Sequence, residues 1–141
     1  QSEKRHFADP SMACALLNIS DEDKLINDLE TFGFLFEAMV ERDLKIYADS
    51  FNAKCYHYQD YQNREIDSVI ELENGEWCAF EIKLGVNKID EEAKKLLKIK
   101  EEIEKENGKS PSVLCVICGL SNATYRRPDG VYVVPITALK P

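Results

Sequence analysis

The chain has 141 residues, of which 44% are hydrophobic and 31% charged, and its 18 basic and 26 acidic side chains leave a formal charge of −8. A chain of this length buries roughly two-thirds of the surface that its unfolded form exposes, so it can fold without a disulfide or a structural metal. The acidic balance argues against a protein that coats nucleic acid, although a nuclease with an acidic metal site stays compatible. No apolar run reaches the roughly 18–20 residues that span a bilayer, and the start does not resemble a signal peptide. We therefore expect a cytoplasmic protein without membrane contact.

The first 28 residues are polar and irregular, and we expect them to form an entry segment that docks on the core. The sequence opens on Gln1 rather than on methionine, which favours a fragment cut from a longer protein. From 29 to 51, apolar residues recur at the spacing of a helix that buries one face. These residues are Leu29, Phe32, Phe36, Val40, Leu44, Tyr47 and Phe51.

The apolar period then changes from helical spacing to two, which indicates strands over 55–58, 65–72 and 77–84. Asn74-Gly75 predicts a tight turn between the last two, so the three strands form a meander. A helix over 90–106 follows, with Asp90 as its N-cap and Asn107-Gly108 at its end.

The continuous apolar run 113–118 predicts a strand buried on both faces, and 131–134 predicts a short last strand. The order of the elements indicates an α/β domain over 29–141, with a mixed central sheet flanked by helices.

The length of the hairpin loop decides which strand side chains face each other. A two-residue loop at Asn74-Gly75 would point Asp67 away from Glu81, whereas a three-residue loop that includes Glu73 sets Asp67 directly across from Glu81. Burial favours the second register, because it collects the more apolar set on the opposite face. That set is Ile66, Ser68, Ile70, Cys78, Phe80 and Ile82.

Asp67 and Glu81 are the candidate metal ligands, because two carboxylates about 5 Å apart repel and need a cation between them. Oxygen ligands suit Mg²⁺ or Mn²⁺ better than zinc. Lys83 lies on the same strand face as Glu81 and could orient or deprotonate an attacking water. Glu37 is a candidate third carboxylate at the edge of the helix stripe, and Asp43 is a second candidate. The alternative is an ordinary ion pair on a solvated strand face.

Other polar residues carry weaker signals. Arg126 and Arg127, beside Tyr125, are the best local candidates for contact with a nucleic-acid phosphate or base. The lysines at 94, 95, 98, 100 and 105 alternate with glutamates, which is typical of a solvated helix face. The histidines at 6 and 57 are too isolated to form a ligand set.

Five cysteines, an odd number, lie among apolar neighbours, which favours reduced and packed thiols over a disulfide framework. Cys115 and Cys118 have the spacing of a zinc or redox pair. On a strand, however, residues three apart face opposite sides, so we expect both to be core residues.

Three short motifs in this order resemble the signature of the PD-(D/E)XK, restriction-endonuclease-like superfamily, whose core runs αβββαβ. They are Phe36-Glu37-Ala38-Met39-Val40, Glu65-Ile66-Asp67 and Phe80-Glu81-Ile82-Lys83. The resemblance implies that Asp67 and Glu81 bind the metal, that Lys83 is the catalytic lysine and that Glu37 is an auxiliary acid. No proline precedes Asp67, and the helix after Lys83 lacks the glutamine of the RecB-like branch.

From about Phe7 to Pro141, the chain is similar to the uncharacterised C-terminal domain that follows the AAA+ ATPase module in a large bacterial and archaeal ATPase family. The resemblance implies a metal-dependent DNA endonuclease domain of an ATP-binding protein, with DNA and the AAA+ module as partners. The alternative is a catalytically silent, nuclease-like module for recognition or oligomerisation of the ATPase, and a homo-oligomer is left open.

Overall fold

The computed structural model describes residues 29–119 and 123–136, and the side chains from Gly33 onward within those ranges. The expected entry segment 1–28 therefore lies outside the described residues. The elements are α1 (Leu29–Ser50), β1 (Lys54–Gln59), β2 (Glu65–Glu71), β3 (Trp77–Lys83), α2 (Ile89–Lys105), β4 (Val113–Cys118), β5 (Tyr125–Arg126) and β6 (Tyr132–Pro135). In this part of the chain, no helix is both long and apolar enough to cross a membrane.

The strands form one mixed sheet in the order β1-β2-β3-β4-β6-β5. β1, β2 and β3 pair antiparallel, β3 pairs parallel with β4, and β4 pairs parallel with β6. A parallel pair needs a crossover connection, and α2 supplies it between β3 and β4. The expected α/β domain with a mixed sheet flanked by helices is confirmed.

The two helices cover opposite faces of the sheet. α1 packs Phe36, Val40 and Leu44 against a face that carries Ile82 and Ile117. α2 packs its own apolar stripe against the other face. Residues of β2, β3, β4 and β6, and Val131 just before β6, line that face. This second core contains Ile66, Val69, Ala79, Ile89, Ala93, Leu96, Ile99, Leu114, Val116, Cys118, Val131 and Val133.

Arginine ion pairs hold α2 over the sheet at both of its ends. Near its C-terminus, Arg64 of the β1–β2 turn pairs with Glu106 at 3.0 Å and Glu102 at 3.7 Å. At its N-terminus, Arg127 pairs with Asp90. Between these two ion pairs, the buried residues of α2 pack against the sheet and position the helix relative to β3.

The β2–β3 hairpin has the three-residue loop and the predicted register. The backbone N–H of Leu72 donates to Glu76 at 2.8 Å, which closes the loop, and Gly75 has φ +87°, a left-handed conformation that favours glycine. Ser68 pairs with Phe80 and Ile70 with Cys78.

The predicted strand face is wrong for one residue, Ile66. Ile66 packs in the α2 core, whereas Ile70, Phe80 and Ile82 pack under α1. The cause is a β-bulge: Tyr56 pairs with Val69 but Tyr58 pairs with Ile66, so two residues of β2 face one of β1.

Two other expectations about the elements need correction. Asp90 is not the N-cap of α2, because a short 3₁₀ turn over Val86–Lys88 leads into the helix and Lys88 occupies the cap position. The strand β5 was not predicted, since two exposed residues leave no alternating pattern to detect.

Candidate functional site

The candidate site is built around Asp67 on β2 and Glu81 on β3. The β2–β3 ladder ends at Ser68 and Phe80, and the side chains of the residues next to them, Asp67 and Glu81, interact with each other. The Asp67 side chain also accepts a hydrogen bond at Oδ2 from the backbone N–H of Ile82 at 3.0 Å. Asp67 is only 8% exposed and Glu81 is 0% exposed, so the pair lies inside the domain.

The bulge in β2 lies at this pair. Asp67 and Ser68 together face His57 of β1, whose Nδ1 lies 3.3 Å from the carbonyl oxygen of Asp67. The other ring nitrogen, Nε2, lies 3.4 Å from Oε1 of Glu65. Bulges redirect side chains next to functional sites, and this one interrupts the regular strand at Asp67.

A lysine from α2 contacts the carboxylate pair. Nζ of Lys95 lies 3.1 Å from Oε1 of Glu81, and the Glu81 side chain is 1% exposed. The Glu81 carboxyl also interacts with the side chain of Asp67, so this ammonium and the neighbouring carboxyl are the polar groups that surround it. A second pair lies beside it, with Nζ of Lys83 at 3.8 Å from Oε1 of Glu92.

Burial and the neighbouring charges shift the pKa values of Glu81 and Lys95. Burial, and then the charge of Asp67, raises the pKa of Glu81 to about 10, against the opposing attraction of Lys95. Burial alone would lower the pKa of Lys95, but attraction to Glu81 and Asp67 outweighs it and raises the pKa above its ordinary value. Lys95 therefore stays charged at neutral pH, and burial together with the charge of Asp67 favours the protonated form of Glu81.

The helix acids predicted as additional ligands lie on α1. Glu37 and Asp43 are half-buried on α1, which covers the face opposite to the one where Glu81 meets Lys95. In the part of the chain that the structure describes, no three histidine, cysteine, aspartate or glutamate side chains form a group that could hold a metal ion.

The residues do not fit a divalent cation as they are arranged. An ammonium already contacts Glu81, one oxygen of Asp67 is engaged by the Ile82 N–H, and Glu81 has no exposed surface. A Mg²⁺ ion retains several waters in its coordination shell, and a fully enclosed carboxylate gives those waters no space.

Lys95 is the site residue that sequence reasoning missed. Lys95 is exposed, as expected for a solvated lysine face, but its ammonium also contacts the buried Glu81. A signal was present in the helix period: at about 100° per residue, Glu92 falls between Leu96 and Ile99 within the apolar stripe, and Lys95 lies beside Ile99. A charged pair at the edge of a buried stripe indicates an internal partner.

The arginine pair is engaged within the domain. Arg127 pairs with Asp90 and, at 3.1 Å, with Asp129. The guanidinium of Arg126 lies over the ring of Tyr132 at 5.2 Å from its centroid. Arg126 stays exposed, whereas the charge of Arg127 is already compensated.

The remaining sequence expectations concern cysteines and histidines. Cys115 packs under α1 and Cys118 packs under α2, which confirms that the two face opposite sides of β4. Burial raises the pKa of Cys115 to about 12, so this thiol is unreactive. Cys14 and His6 lie outside the described residues.

Fold and site together define an α/β domain with a mixed sheet and a buried carboxylate pair at the β2–β3 hairpin. The chain matches, over residues 32–139, the model of a family described as "Domain of unknown function (DUF4143)", and it belongs to that family. No curated protein and no solved structure matches it.

Proposed function

We propose that this domain is a nuclease-like module that recognises or oligomerises an AAA+ ATPase and has no phosphodiesterase activity of its own. One observation carries the proposal: Nζ of Lys95 lies 3.1 Å from Glu81, whose side chain has almost no exposure. Hydrolysis by two metal-binding carboxylates needs the ion and the substrate to reach both of them. A carboxylate that is enclosed and paired with an ammonium meets neither need.

The distribution of exposed aromatic residues supports a contact with protein. Phe51 is 66% exposed, Tyr56 40% and Tyr61 86%, and they lie before, within and after β1. β1 is an edge of the sheet formed by the described strands. An edge strand offers backbone donors and acceptors to a partner strand, and aromatic residues are enriched at protein interfaces.

The first test measures Mn²⁺ binding and DNA cleavage by the wild-type chain. Calorimetric titration with MnCl₂ is expected to show no binding at millimolar concentration, and plasmid and single-stranded DNA are expected to stay intact with Mn²⁺. Mn²⁺ binding that disappears in Asp67→Asn would contradict the proposal.

The second test addresses the interaction surface. The AAA+ module added in trans, or a second copy of the chain, is expected to bind wild type by light scattering and to lose that binding with Tyr56→Glu. Tyr125→Glu is a matched control, because Tyr125 is 46% exposed on β5 at the opposite edge of the sheet. Equal effects of the two substitutions would remove β1 from the proposal.

A second candidate function is a Mg²⁺- or Mn²⁺-dependent phosphodiesterase acting on DNA. The observation that favours it is the register, which sets Asp67 across from Glu81 with Lys83 two residues further along β3. The Lys83 side chain is 41% exposed, so its ammonium is accessible. Cleavage of DNA that is lost in both Asp67→Ala and Lys83→Ala would establish this function, and equal cleavage by wild type and both variants would exclude it.

A further inference from the structure

We propose that Lys95 is a built-in substitute for a divalent cation: its ammonium excludes metal from the Asp67–Glu81 pair, and its removal creates a metal site. This inference rests on the proposed function, because it explains why the pair is closed. Lys95, rather than Lys83 of the predicted motif, is the lysine in direct contact with the pair. The ammonium of Lys83 is instead placed against Glu92.

The charges around Lys95 support this assignment. Its ammonium contacts Glu81, and the charges of Asp67 and Glu92 add to the attraction at this position. Oε1 of Glu81 loses its ammonium partner when Lys95 is removed, and one buried Glu92 oxygen already lacks a hydrogen-bond partner among the described residues. Buried carboxyl oxygens that lack donors are the atoms for which an added cation has the largest effect.

The arrangement also provides a route from solvent. The Lys95 side chain is 41% exposed while the Glu81 carboxyl that it contacts is enclosed. The lysine therefore runs from the surface of α2 to the buried pair, and truncation beyond Cβ leaves a channel along the same path. The buried residues Ala93, Leu96 and Ile99 keep the helix packed on the sheet when this side chain is shortened.

The new site would suit a hard divalent ion. Carboxylate oxygens and water are the ligands that Mg²⁺ and Mn²⁺ prefer, and the channel can hold the waters that such an ion retains. Removing the ammonium also removes a repulsive charge from the position of the ion. We expect Lys95→Ala to bind Mn²⁺ at least about tenfold more tightly than wild type, because even a screened unit charge at close range has an effect of that order.

The experiment is calorimetric and electron paramagnetic resonance titration of the full chain with MnCl₂. Wild type, Lys95→Ala, Lys94→Ala and Lys95→Ala with Asp67→Asn are compared, with circular dichroism melts to verify folding. Lys94 is the adjacent exposed lysine on α2 and the matched control. The expected result is one Mn²⁺ per chain in Lys95→Ala, no gain in Lys94→Ala, and loss of the site when Asp67→Asn is added.

The outcomes separate this inference from the proposed function. A folded Lys95→Ala chain that binds no Mn²⁺, beside a wild type that also binds none, overturns the inference alone. Wild type that binds as tightly as Lys95→Ala, through Asp67, overturns the inference and the proposed function together. If Lys95→Ala does not fold, Lys95→Gln replaces it, because it removes the charge and keeps most of the packing stem; absence of Mn²⁺ binding there has the same meaning.

Discussion

The two faces of the sheet bury their side chains in different ways. Neighbouring residues of β3 show the contrast, since Ile82 is 1% exposed under α1 and Glu81 is 0% exposed under α2. The isoleucine needs only apolar neighbours such as Val40 and Ile117. The glutamate needs a proton or a counter-charge: its raised pKa favours the proton, and the ammonium of Lys95 lies 3.1 Å from it. One face is therefore stabilised by packing, and the other depends also on an electrostatic balance that pH and substitution can shift.

The largest effect on stability should come from truncating a side chain that is buried under α1. Ile82→Ala removes a fully buried side chain, and we expect the free energy of unfolding to fall by about 2–5 kcal/mol. Chemical denaturation measures it. Ile46→Ala is the matched control, because Ile46 is 51% exposed on α1 and its loss should change the free energy by less than about 1 kcal/mol. Similar losses in the two variants would contradict the packing described for this face.

A smaller effect is expected when the charged face is disturbed. Lys95→Ala leaves Glu81 and Asp67 without their nearby cation, and we expect a loss of about 1–2 kcal/mol, reduced by the partial exposure of Lys95. Asp67→Asn in the same background should recover part of this loss, since it removes a buried negative charge that Lys95 compensates. A double-mutant cycle measures the coupling, and a coupling indistinguishable from zero would show that the ion pair does not contribute.

The pH dependence of stability should distinguish the two faces. The pKa of Glu81 rises from an ordinary value of about 4.3 when unfolded to about 10 in the folded domain. Between these values the folded state binds more protons than the unfolded state, so this group makes stability fall as pH rises. We expect the melting temperature of wild type to decrease from pH 5 to pH 9 more steeply than that of Glu81→Gln. Parallel profiles would contradict the raised pKa.

The smallest predicted effects concern two glycines, one of them in the turn that sets the register of β2 and β3. Gly75→Ala places a Cβ at φ +87° and should lower the free energy of unfolding by about 1 kcal/mol. Gly33→Ala is the control of opposite sign, because an added Cβ there meets nothing within 4 Å on helix α1, and alanine should stabilise a helix interior by about 0.5–1 kcal/mol. If both substitutions changed the free energy of unfolding in the same direction, the left-handed conformation of Gly75 would be contradicted.

Much of the hairpin could be predicted from local sequence. The alternation of Phe80, Glu81 and Ile82 and the glycine at position 75 were sufficient for the three-residue loop and for placing Asp67 across from Glu81. The bulge opposite His57 was not predictable, because one extra residue in β2 has no compositional mark. It changed the face on which Ile66 lies.

By itself, the sequence determined the order of the elements, the mixed sheet and the opposed carboxyl groups, because hydrophobic period and turn chemistry act between residues close along the chain. The tertiary structure decided which cation those groups meet. Helix α2 docks so that Lys95, distant in sequence from Asp67, reaches Glu81, while α1 keeps Glu37 over the opposite face. The docking of a helix depends on how its whole apolar stripe packs on the sheet, and that information is spread over both cores rather than contained in any motif.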